Sequence, residues 1–105
     1  MITIAVDAMG GDYAPREVVY GSVLAAREHA IAIQLVGPPE LVEKELQRHD
    51  TAGLNISIVP ASEVVAMDEK PSRAIVRKKD SSIVVTTKQV SQGLANGMVA
   101  AGSTG

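Results

Sequence analysis

Hydrophobic and polar positions alternate along this chain in two periods, one of strands and one of helices. Ile2 to Asp7 is almost continuously apolar and stops at an aspartate, the mark of a strand buried on both faces in a parallel sheet. A loop over 8–14 follows, carrying Gly10, Gly11 and Asp12. Val18, Val19, Ser22, Val23 and Ala26 then share one face at helical spacing, predicting a helix over 15–29. Pro15 suits its first turn, with Asp12 or a nearby group as cap, and His29 is read as a capping or surface residue at its end. Residues 31–36 form a second strand, stopped by Gly37-Pro38-Pro39. Leu41, Val42, Glu45 and Leu46 make the narrow stripe of a short helix over 39–48, with His49 at its end. Residues 54–59 alternate, as in a half-exposed strand near a sheet edge, and Pro60 ends them.

The next stretch has a weaker pattern. Met67 to Pro71 is polar and loop-like, and 72–79 suits a short helix. Asp80-Ser81-Ser82 are strong N-cap residues. After them Ile83, Thr87, Val90 and Leu94 repeat on one helix face, which Val84 and Val85 widen. Asn96-Gly97 is the expected C-cap. Met98 to Ala101 is a fourth strand, and Gly102-Ser103-Thr104-Gly105 a second glycine turn. Such alternation predicts an α/β fold over 1–105, with a mainly parallel sheet, right-handed crossovers and helices on both faces. Strand one is expected between strands two and three.

Composition narrows the partners. The 105 residues are 46% hydrophobic and 21% charged, with net charge −2. A slightly acidic chain lacks the basic footprint that nucleic acid requires. Phe and Trp are absent, so the core is built from Val, Ile, Leu, Ala and Met. There is no cysteine, hence no disulfide, thiolate metal site or cysteine nucleophile. No basic segment precedes an apolar run at the N-terminus, and no run reaches membrane-spanning length. These features predict a cytoplasmic protein.

Candidate chemistry gathers at the two glycine turns. Gly10 and Gly11 follow the carboxyl end of a parallel strand, where open α/β sheets place ligands, and they admit a ligand close to the backbone. Gly102, Ser103, Thr104 and Gly105 offer N–H groups and hydroxyls suited to an anion. Neither turn matches the dinucleotide fingerprint or the P-loop. Asp7 and Asp12 oppose a phosphate lying directly on the first turn, since like charges 4 Å apart cost about 4 kcal/mol at an effective dielectric near 20. Their alternative roles are stapling the turn or orienting a cation. Arg73, Arg77, Lys78 and Lys79 lie just before the capping Ser81 and Ser82, joining positive charge to a helix N-terminus. A solvated charge run is the competing reading.

Taken together, these residues identify a resemblance. Val6-Asp7-Ala8-Met9-Gly10-Gly11-Asp12 with Ala14-Pro15 is similar to the opening of the phosphate acyltransferase family of bacterial phospholipid synthesis. The similarity continues through Val36-Gly37, the Glu63 to Asp68 region, Pro71, Arg73, Ala74, and Arg77 to Ser82. It closes at Ala101 to Gly105, where the family usually has asparagine in place of Ser103. Members are longer, so the chain resembles an N-terminal portion, expected to be inactive alone.

The resemblance implies a three-layer α/β/α fold like that of isocitrate and isopropylmalate dehydrogenases. It also implies transfer of a fatty acyl group from acyl carrier protein to inorganic phosphate, without a cofactor or metal. A homodimer is implied, and peripheral membrane association of the full-length enzyme is compatible with it. Gly10, Gly11, Arg77, Lys79, Ser81, Ser82, Gly102, Ser103, Thr104 and Gly105 are the candidate phosphate or substrate ligands, with Asp7 and Asp12 shaping the site. Lys79 or Arg77 is expected to face the cleft between the turns. Ser103 is expected to shape its turn, so that Ser103→Asn alters activity by less than about threefold. Two alternatives stand beside this reading: a related enzyme or subunit handling acetyl phosphate, and a non-catalytic phosphate- or nucleotide-binding module.

Overall fold

A computed structural model describes residues 1–11, 13–61 and 81–100. Four strands and three helices occur in the order β1 (Ile2–Asp7), α1 (Arg16–Glu28), β2 (Ile31–Gly37), α2 (Pro39–Leu46), β3 (Ile56–Pro60), α3 (Ser82–Ser91) and β4 (Gly97–Val99). The sheet is parallel throughout, in the order β3-β2-β1-β4.

This order corrects the expectation for strand one. Its neighbours are β2 and β4, and β3 lies outside β2. The physical reason lies in the crossovers. Val19, Val23 and Ala26 of α1 and Val42 of α2 pack with Val6, Ile33 and Leu35 on one sheet face. Gln34 points the other way, where its Oε1 accepts from Gln89 Nε2 of α3 at 3.1 Å. The winding therefore reverses after β3, and α3 carries the chain across the opposite face to the free side of β1. Three layers result. The half-exposed alternation of β3 fits its place at the edge, where Pro60 is tolerated.

Element ends moved by a few residues. The third strand starts at Ile56, because Leu54 N–H closes a turn onto Thr51 O at 3.0 Å. α1 begins at Arg16, with Pro15 in the cap position and no side-chain cap from it, and His29 closes the helix by donating its N–H to Ala25 O. α2 ends at Leu46, earlier than expected. The expected C-cap at Asn96-Gly97 is also corrected. α3 ends at Ser91, and Gly93 at φ +76° takes the left-handed position that stops a helix. Asn96 instead leads into β4, donating its N–H to Thr3 O at 2.7 Å and accepting Thr3 N–H on Oδ1 at 2.8 Å. Leu94 consequently lies outside the helix and is exposed. The fourth strand is Gly97–Val99 rather than 98–101. The helix expected over 72–79 falls outside the described residues.

Candidate functional site

The reversal of winding makes the gap between β1 and β4 a topological switch point, and the crevice at the carboxyl ends of such strands is where open α/β sheets bind ligands. Asp7 ends β1 there, opposite Val36 of β2, and Val99 ends β4 opposite Val6. The apolar run that buries β1 carries Asp7 into the interior with it, leaving the residue only 6% exposed.

A carboxylate so deep needs partners. Its Oδ1 accepts the Met9 N–H at 3.0 Å, folding the chain back in an Asx-type turn. Its backbone carbonyl accepts the Gly10 N–H at 3.2 Å. Gly11 follows at φ +93°, a conformation that favours glycine and completes the turn. From the facing helix, Ser82 lies near enough to favour the charged form of the carboxyl. Burial pushes the Asp7 carboxyl above the ordinary aspartate value of 3.8, while Ser82 and the Met9 N–H favour its charged form and oppose that rise.

The start of α3 is as closed as the turn. Ser81 is fully buried, and its hydroxyl caps the helix by accepting Val84 N–H at 3.4 Å. Ser82 is 1% exposed, and its carbonyl accepts the hydroxyl of buried Thr86 at 2.6 Å.

Of the residues singled out from sequence, Asp7, Gly10, Gly11, Ser81 and Ser82 gather at this one sheet end. Asp12, Arg77, Lys79, Gly102, Ser103, Thr104 and Gly105 lie outside the described residues, as does the expected orientation of Lys79 or Arg77. Sequence reasoning missed an apolar cavity of about 440 Å³ on the α1 side of the sheet. Ile4, Val6, Val18, Ile31, Ile33 and Val99 line it, with Asp7 and Glu17 as its acidic members. Its signal was the small side of α1: Gly21, Ser22 and Ala25 fall beside Val18 and leave the space open. Among the described residues no helix is long and apolar enough to cross a membrane. No group of three or more His, Cys, Asp or Glu among them is placed to hold a metal ion.

Comparison with known proteins adds a lineage to this geometry. Residues 2–105 match the model of a family described as fatty acid synthesis protein. The chain is 54% identical over 105 residues to a phosphate acyltransferase of Desulforamulus reducens, covering 100% of this chain and 31% of the relative. Phosphate acyltransferases of Pelotomaculum thermopropionicum and Geobacter sulfurreducens are 53% and 52% identical over 102 residues, covering 97% of this chain and 30% of each relative. The chain therefore spans about a third of the length of the curated relatives it matches.

Proposed function

Since the chain belongs to the fatty acid synthesis protein family, we propose that it serves a phosphate acyltransferase, moving a fatty acyl group from acyl carrier protein to inorganic phosphate. The observation that carries this reading is the 54% identity to a phosphate acyltransferase over all 105 residues, the strand end and glycine turn among them.

In the reaction a phosphate oxygen attacks the thioester carbonyl carbon. A tetrahedral oxyanion forms, the C–S bond breaks, and the carrier thiolate leaves with acyl phosphate as product. Phosphate is already nucleophilic at neutral pH, so the protein's task is to hold it against the thioester and to place donors at the developing oxyanion. Backbone N–H groups of glycine turns at a strand end suit that task. Gly11, together with Gly102, Ser103, Thr104 and Gly105, is the proposed donor surface, Gly10, whose N–H is held by the Asp7 carbonyl, lets the ligand approach the backbone closely, and Arg77 and Lys79 are the proposed counter-charge. The same reading includes a cytoplasmic homodimer that associates peripherally with membrane at its full natural length.

The test is acyl-phosphate formation by the protein at its full natural length, from long-chain acyl carrier protein and inorganic phosphate. Formation from the long-chain donor, with acetyl thioester a poor substitute, is the expected result. Preference for the acetyl donor would favour an acetyl-phosphate enzyme. Phosphate binding without acyl phosphate would favour a binding module.

A further inference from the structure

We propose that the apolar cavity between α1 and the β1–β4 pair receives the acyl chain of the thioester donor, with the thioester end at the carboxyl ends of the strands. The identity of the occupant rests on the acyltransferase reading, whereas the groove rests on geometry alone.

The cavity of about 440 Å³ has the size of a small-ligand site, about 300–1,000 Å³. Ile4, Val6 and Val99 form its sheet wall, and Val18, Gly21 and Ala25 its helix wall. Asp7 and Glu17 are the charged residues that line it, and both are acidic. Such a surface repels phosphate and other anions and favours an uncharged apolar chain.

Gly21 points furthest toward an occupant. It lies in the middle of α1, where glycine weakens a helix relative to alanine. Its φ is not positive, and a Cβ there would meet nothing within 4 Å. Neither backbone conformation nor crowding among the described residues therefore calls for glycine. Its absent side chain instead keeps the groove open between Glu17 and Ala25, one turn to either side on the same helix face.

The groove also runs in the required direction. α1 returns antiparallel to β1, which sets Val18 near the strand carboxyl ends and Ala25 deeper, toward Ile31. A chain entering beside Asp7 and Val99 passes Val18, Gly21 and Ala25 in turn, along roughly 10 Å of helix. Its head stays at the strand end where the glycine turn begins, with Asp7 O holding Gly10 N–H. A right-handed crossover leading outward from β4 lies on the α3 face, so winding of that kind leaves the groove uncovered.

The experiment compares the wild type, Gly21→Ala and Gly21→Leu at full natural length. A palmitoyl thioester with a diazirine at its chain end is photolysed with each protein, and adducts are mapped by mass spectrometry. The wild type should be labelled within residues 17–25 or 31–33, and Gly21→Leu should lose most of that label. The second readout is acyl-phosphate formation from palmitoyl and butyryl carrier-protein donors. A buried methylene is worth about fourfold in affinity, so a leucine displacing two or three should lower kcat/KM for the palmitoyl donor about tenfold or more. The butyryl chain stops before Gly21, and its kcat/KM should change less than about twofold. Gly21→Ala should fall between. Denaturation midpoints should not drop, because both variants replace a mid-helix glycine by a better helix former.

Labelling of the wild type only outside these residues overturns the proposal. So do unchanged palmitoyl kinetics in Gly21→Leu, or equal losses with both donors. A lower midpoint for both variants would show that a later segment of the protein already fills the groove, and would overturn it too. Should the wild type form no acyl phosphate, the acyltransferase reading fails separately and the labelling alone decides the groove.

Discussion

A single buried carboxylate sets the character of the site at the residue scale. Asp7 binds its proton more tightly in the folded chain than at the ordinary value of 3.8, because burial disfavours the charge. The sign of the linkage follows. Its contribution to stability is fully present below about pH 3.8 and is lost as pH rises through the higher folded value, since the native state must then hold a desolvated charge. Asp7→Asn keeps the shape without that charge. The variant should therefore gain on the wild type as pH rises from about 4 to 7, and urea midpoints of both proteins at the two pH values measure the gain. A constant difference, or a wild-type advantage growing with pH, would reverse the assignment. That Asp7 shapes the turn was legible in sequence, because an apolar run ends at it and two glycines follow. The approach of Ser82 to it was not. Local pattern states what each segment does alone, and this approach depends on which strand lies beside β1.

At the scale of elements, periodicity located the strands and helices, while their ends were decided by hydrogen bonds that pattern does not encode. α3 is the clearest case. Leu94 continues the apolar repeat Ile83, Thr87, Val90 and so extends the helix on paper. Yet Leu94 N–H and Ala95 N–H both turn back to Gln89 O, at 2.9 and 3.0 Å, and Gln34 Nε2 binds Leu94 O across the sheet face. Gly93 makes this reversal feasible with its φ of +76°, and a Cβ there would meet nothing within 4 Å. Gly93→Ala therefore isolates backbone strain from crowding. It should destabilise by about 1–2 kcal/mol, and Gly93→Asn by less, read from denaturation midpoints at constant slope. An alanine variant as stable as the wild type would mean that the turn relaxes out of the left-handed region. Strand order was the other illegible element. Both β3 and β4 can reach β1 by right-handed crossovers, and the choice depends on α3 taking the face opposite α1 and α2, which no apolar spacing within α3 specifies.

Over the whole molecule, burial is uneven. The core lies between β1, β2, α1 and α2, where Leu35, Val19, Val23 and Val42 are fully enclosed. The β4 side is open: Val99 is 52% exposed, and Met98 and Leu94 are exposed beside it. Among the described residues β4 pairs only with β1, so its outer backbone joins apolar side chains on one flank. Such an edge is a template for pairing with another chain. A net charge of −2 offers little repulsion against that approach. The 105-residue chain should therefore self-associate with rising concentration. Val99 is the residue to change, because it lies opposite Val6 on the cavity side and its exposure lets a charged head reach water. Val99→Glu takes the net charge from −2 to −2 − 1 = −3 and sets a carboxylate on the edge. Sedimentation velocity over a range of concentrations should show weaker association for Val99→Glu and unchanged association for Val99→Ile. Equal association in all three proteins would place the contact elsewhere on the surface and remove β4 as its cause.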